Sequence, residues 1–197
     1  MSHFSLTLVT PPTVEPVVIG DVRDALRLGD TDEVPLLDRY ITSARQQVEN
    51  DTQRKLVTQT WDVSIDYWPC GDVPLVLPIA PIQSVTSITA YDEDGTSTVV
   101  STDVYGVDVA STPPRIYLKS GQSWPSDRRT YVAGVIRVVA GYGASGSSVP
   151  MALRQAVEYL VAHRFENREP VIVGTNALAL PIGYQDLIEP YWVGILP

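Results

Sequence analysis

The hydrophobic period changes twice along this chain, and those changes restrict the fold more than any single residue does. Val34, Leu37, Ile41, Ala44 and Val48 recur at spacings of three and four, which places them on one helical face that needs a covering surface. From Gln59 to Trp68 the sequence alternates instead. Trp61, Val63, Ile65 and Tyr67 fall on one side and Asp62, Ser64 and Asp66 on the other, the pattern of a half-buried strand. Helical spacing returns at Leu153, Ala156, Val157, Leu160 and Val161. Neither helical stripe can be buried alone, so the economical fold packs residues 34–48 against 153–161 and leaves the strand-rich region as an insertion.

The remaining segments fit that plan. Pro11, Pro12 and Pro16 favour an extended arm over residues 1–18. Val22, Ala25 and Leu26 mark a short helix over 19–28 that stops at Gly29, and Asp30 to Glu33 offer caps and acidic first-turn residues for a helix over 34–52. Short β-rich pieces follow at 73–79, 84–92, 97–101, 104–109, 115–118 and 131–140, with Asp94-Gly95 as a hairpin dipeptide. They predict an antiparallel β-sandwich or small barrel over about 57–141. Ser147 or Ser148 as cap and Pro150 in the first turn open a helix over 149–167. Past Pro170 the period is lost until a turn at Pro181-Ile182-Gly183 and another helical turn or two near 186–191. The fold class is therefore α+β. A small helical core (19–56 and 147–169) carries an inserted β-lobe (57–141), an extended arm (1–18) and a C-terminal tail (170–197).

Composition excludes several functions. At 197 residues the chain can bury about 70% of its unfolded surface without staples, and the single Cys70 provides no intrachain disulfide or cysteine-rich zinc site. Lys and Arg number 14 against 23 Asp and Glu, a net charge of −9, with acidic excess in every third of the sequence. Tight DNA wrapping needs the opposite sign, whereas passage of DNA along an acidic, non-adhesive wall does not. No apolar run approaches ~18 residues and Met1 to Leu8 has no basic leader, so neither a membrane span nor a signal peptide is expected.

The motifs with chemical meaning each have a plainer reading. Gly141-Tyr142-Gly143-Ala144-Ser145-Gly146 has dinucleotide-loop spacing. Ser147 to Pro150 nevertheless separate it from the helix that should face a pyrophosphate, so a flexible connector is expected. His163 borders the apolar stripe, and the residue four positions on is Asn167, an amide and not a metal ligand. No nucleophile elbow is present, and Asp92-Glu93-Asp94-Gly95 lacks the downstream glutamate of a calcium loop. No catalytic, cofactor-binding or metal-binding residue is assigned. Arg128-Arg129 and Arg164 with Arg168 are the compact basic spots, and Glu158, Glu166 and Glu169 suggest an ion-paired surface around the second. Tyr191, Trp192, Val193, Ile195 and Leu196 form an apolar tail that either packs back on its own fold or docks on another protein. They are the candidate interface residues.

Read in order, the sequence blocks resemble the head-tail connector, or adaptor, proteins of long-tailed bacteriophages and gene transfer agents. The blocks are Leu8 to Pro12 with Glu15-Pro16-Val17, Ala25 to Leu28, Thr58 to Asp62, Leu77-Pro78, Pro81 to Ile88, Tyr105 to Asp108, Val139 to Gly143, Val149-Pro150 with Leu153 to Ala156, Leu160 to His163, and Glu166 to Glu169. Two positions depart from the family pattern: Val18 where a Ser or Thr cap is usual, and Trp192 where a basic residue is frequent. The resemblance implies a virion structural protein assembled in the host cytoplasm. Copies would form a ring of roughly twelve-fold symmetry through heterologous contacts. That ring would sit under the portal protein, carry a head-closure (stopper) or tail-terminator protein, and meet DNA only as it passes. It implies no cofactor and no catalysis. Alternatives are a tail or baseplate binding module built on the β-lobe, and a nucleotide-binding enzyme using the glycine loop.

Overall fold

A computed structural model describes residues 4–29, 34–71, 73–126, 129–167 and 183–194. The chain divides into a β-rich unit (Met1–Pro12, Thr58–Tyr142, Val193–Pro197) and a helical unit (Thr13–Val57, Gly143–Trp192).

The β-rich unit contains β1 (Phe4–Thr10), β2 (Gln59–Ile65), β3 (Leu75–Val76), β4 (Ile82–Tyr91), β5 (Ser97–Val99), β6 (Tyr105–Asp108), β7 (Arg115–Leu118) and β8 (Gly134–Ala140). They form a five-stranded sheet in the order β1-β2-β8-β4-β5 and a three-stranded sheet in the order β3-β7-β6, with every pairing antiparallel. Both sheets are open, so the barrel alternative is set aside: β1 and β5 end the larger sheet without meeting. The residues read as an arm are partly strand, since Phe4 to Leu8 pair with Ile65 to Trp61 before a register shift. Alternation builds the core. Val63 and Ile88 both register with Ile136, and all three are fully buried beside Leu77, Ile79 and Ile116. On the opposite face Asp62 stands across from Arg137 and accepts a two-pronged bond from it, 2.8 Å on each side, which fixes register more than it adds stability.

One expected core position is displaced. β2 ends at Ile65 and the chain bends at 66–67, so the period breaks; Tyr67 is 40% exposed while Trp68 is buried. The Trp68 ring stacks on Trp124 with centroids 4.7 Å apart. Gly134 makes the space: a Cβ there would lie 2.4 Å from Cζ2 of Trp68. The segment expected as strand over 73–79 pairs only at Leu75 and Val76.

The helical unit contains α1 (Ile19–Leu26), α2 (Val34–Thr52), α3 (Met151–Glu166) and α4 (Tyr184–Ile188). Leu37, Ile41, Ala44 and Val48 of α2 are buried, as are Leu153, Ala156, Val157, Leu160 and Val161 of α3, and the two helices pack together. Val22 of α1 and Tyr184 of α4 are buried beside them. α1 stops two residues before Leu28 because Arg27 adopts φ 56° and Leu28 N–H bonds Arg23 O at 3.0 Å, closing the helix ahead of Gly29. Val18 precedes α1 without a side-chain cap. Asp30 to Glu33 lie outside the described residues. Ser147 and Ser148 do not cap α3: they belong to a single 3-10 turn, and Pro150 O receives the first helical N–H groups, from Leu153 and Arg154. Extended Val149 and Pro150 hold the serines too far back.

Replacing Gly134 by Ala should force the Trp68–Trp124 stack to move. The expected cost is about 1–3 kcal/mol, read as a lower denaturant midpoint together with a changed near-ultraviolet tryptophan signal; an unchanged midpoint would mean the rings accommodate the methyl group.

Candidate interaction surfaces

The glycine loop is a packing device. A Cβ on Gly146 would come within 2.7 Å of Pro16 O and 2.8 Å of Glu15 O, so glycine is required for the loop to lie against that backbone. This corrects the reading of Gly146 as part of a flexible connector. α3 begins only at Met151 and a single 3-10 turn alone starts in the glycine run, so no α-helix N-terminus opens there, as a dinucleotide site needs. Arg154 Nε also reaches Pro16 O, at 3.1 Å.

Around this point the helical unit is tied by charge. Arg45, 6% exposed, donates from Nε to Glu15 at 2.7 Å and from Nη1 to Glu49 at 3.3 Å. The second oxygen of Glu15 accepts from Thr42 Oγ1 at 2.9 Å, and the second oxygen of Glu49 accepts from the Leu56 N–H at 2.9 Å. Buried charges persist only when they are paired and bonded in this way. Lys55 is also buried, and desolvation holds its pKa below the ordinary lysine value despite Glu49 nearby. At α4, Tyr184 Oη donates to Asp51 at 2.6 Å; burial first, then the bond and charge of Asp51, push its phenol up. The Tyr191 carbonyl accepts from Arg54 Nε. Among the described residues Arg164 bonds neutral groups, Ser43 Oγ at 2.6 Å and Gln47 Oε1 at 2.5 Å on α2. Arg129 is likewise occupied, bonding Val132 O at 2.7 Å and lying over the Tyr91 ring at 4.3 Å. Arg128, Arg168 and Glu169 lie outside the described residues.

Apolar and acidic residues stand out among the exposed groups, beside the exposed cations Arg27, Arg39 and Lys119. Trp192 is 55% exposed, Tyr191 is half-buried, Val193 is buried, and Ile195 and Leu196 lie outside the described residues. Asp92, Glu93 and Asp94 are in or flanking the exposed turn of the β4–β5 hairpin, closed by Thr96 N–H on Asp92 at 2.7 Å. Sequence reasoning missed a further surface. Leu6 and Leu8 register with Val63 and Trp61 and so share the core side of the sheet, yet they are 39% and 44% exposed. The alternation of Phe4, Leu6 and Leu8 was the available signal. Among the described residues no group of His, Cys, Asp and Glu could hold a metal ion, and no helix is long and apolar enough to cross a membrane.

No family model and no curated protein matches the sequence. Solved structures match over its whole length. A chain from the neck of an empty gene transfer agent (GTA) particle computed with C6 symmetry superposes with a TM-score of 0.79 at 28% identity, covering 98% of this chain and 97% of that one. A chain from the virion of a native GTA particle gives 0.77 at 29% identity, with 98% and 97% coverage. A chain from a native GTA neck computed with C12 symmetry gives 0.75 at 28% identity, with 99% and 97% coverage.

Two substitutions test the ties described above. Arg45→Met should remove the guanidinium that bridges Glu15 and Glu49 inside the helical unit and cost about 3 kcal/mol or more, measured by urea unfolding. Tyr184→Phe should cost about 1 kcal/mol at neutral pH. The raised phenol also sets a pH dependence: the unfolded chain releases its proton first, near the ordinary tyrosine pKa of about 10. Stability should therefore fall as pH climbs past that value, and fall less steeply in Tyr184→Phe. Parallel alkaline stability curves for the two proteins would refute this role.

Proposed function

We infer that this chain belongs to the head-tail connector (adaptor) family of tailed phages and gene transfer agents, and is a structural protein of a virion neck. The observation that carries this reading is reciprocal full-length agreement with GTA neck and virion chains at 28–29% identity. Similarity that spans both units argues for a shared role of the whole chain and not of one borrowed lobe.

The finer parts of the reading rest on chemistry. Copies form a ring, as the C6 and C12 symmetries of the similar necks suggest. The helical unit serves as a small bundle carrying the inserted β-lobe. The ring joins the portal protein above to a head-closure or tail-terminator protein below, and DNA passes through it. A net charge of −9 suits a wall that must not grip phosphate. Bonds such as those of Arg45 to Glu15, Arg154 to Pro16 O and Tyr184 to Asp51 tie separate segments together, which suits a mechanical role. The exposure of Trp192, next to a Tyr191 whose carbonyl is held by Arg54, supports its docking on a neighbouring protein; Ile195 and Leu196 join that contact on the apolar sequence alone.

Particles made without this chain should have filled heads that lose DNA and bear no tails in electron micrographs; normal tailed particles would overturn the reading. Trp192→Ser should leave the fold and melting temperature unchanged while lowering the yield of tailed particles. Full tail attachment by that variant would remove the residue from the interface.

A further inference from the structure

The two ends of the larger sheet share an unusual property: neither carries charge. β1 reads Phe-Ser-Leu-Thr-Leu-Val-Thr and residues 96–100 read Thr-Ser-Thr-Val-Val, in a chain that is 19% charged. Edge strands are ordinarily guarded by lysine, proline or inward-pointing charge, because their free N–H and C=O groups invite another strand. Here β1 is regular from Phe4 to Leu8 before its register shift, and all its residues but Phe4 are exposed. The whole of β5 is exposed, with Val99 at 67%. Val100 N–H bonds Ile88 O at 2.8 Å, and the antiparallel alternation then turns the N–H and C=O of Val99 away from β4.

We propose that β5 of one copy adds to β1 of the next, so that each subunit's five-stranded sheet continues into its neighbour's. This rests on the ring reading above and names the surfaces that make the ring. β1 and β5 are opposite edges of one sheet, so their pairing uses two different surfaces, the heterologous arrangement that propagates around an axis; a two-fold dimer would instead pair an edge with itself. A second copy suits the site chemically, because uncharged Ser97, Thr98 and Val99 bring no charge to be desolvated beside Leu6 and Leu8. The added strand satisfies backbone groups and covers the two leucines. On the outer face Val99 meets Ser5 and Thr7, which share that face through their register with Ser64 and Asp62. β5 has only three residues, so the contact is small and needs other neck contacts to hold it.

Disulfide trapping in assembled particles tests the contact. Cys70 is the sole cysteine and is exposed, so Cys70→Ser gives a clean background. Cysteines are placed at Ser5 or Thr7 together with Ser97 or Val99, positions that are all exposed, and neck-bearing particles are oxidised mildly. At least one β1/β5 combination should give a ladder of dimers, trimers and higher multimers on a non-reducing gel, while each single-cysteine variant gives none. Necks that contain the chain as a ring but yield no ladder in any combination would overturn the strand pairing and leave the ring reading standing. Necks that lack the chain would overturn both. As a second measurement, Thr7→Lys with Val99→Lys should abolish incorporation into necks and Thr7→Glu with Val99→Lys should restore it, with unchanged circular dichroism throughout. Equal incorporation of the two double variants would also refute the contact.

Discussion

Burial of two half-covered surfaces by segments far apart in sequence is the constraint from which the rest of this structure follows. The stripe of α2 (34–52) is covered by α3 (151–166), and β2 (59–65) lies directly against β8 (134–140). Neither helix nor either strand has a reason to hold its shape until its distant partner arrives. Among the described strands β8 is last in sequence and central in its sheet, which makes its alternation of Ile136, Val138 and Ala140 with Val135, Arg137 and Val139 decisive for the β-rich unit. In the helical unit the corresponding position belongs to Arg45, whose two carboxylate partners come from opposite ends of the early sequence. Glu15 precedes α1 and Glu49 lies within α2.

How much of this could be read beforehand depended on whether a residue's environment was local. The stripes of α2 and α3 needed only spacing, and their ends fell close to the positions that spacing implies. The α1 terminus did not, because a left-handed Arg27 closes the helix, a conformation that residue type alone does not announce. Tyr67 and Trp68 exchanged roles for a related reason. Alternation is valid only while the strand continues, and β2 stops at Ile65. Arg164 carried no sequence signal for its partners Ser43 and Gln47, which are more than a hundred residues away and neutral. β1 was hidden by Pro11 and Pro12, which drew the whole opening segment into one extended arm although the seven residues of Phe4–Thr10 contain no proline.

The glycine loop shows why a motif must be tested by its surroundings. Its spacing is that of a phosphate-binding turn, and both explanations of the glycines invoke the absence of a Cβ. In a dinucleotide site that absence would admit a pyrophosphate. Here, at Gly146, it admits the backbone of Glu15 and Pro16. The space beside Gly146 is thus taken by the protein's own backbone.

Charge placement extends this logic from the interior to the surface. A chain with 23 acidic and 14 basic residues has enough charge to mark most of its exterior, yet β1 and β5 have none and Leu6 and Leu8 stand on the core side of an edge that nothing described covers. In a protein that stays alone, such edges carry a cost in aggregation that selection ordinarily removes with one lysine. Their persistence is economical only where the edges are covered for the working life of the molecule, and a subunit enclosed by copies of itself in a neck meets that condition. The register shift after Leu8 limits the regular edge to a short run, which keeps pairing with free strands weak while leaving room for three residues held in place by a neighbour.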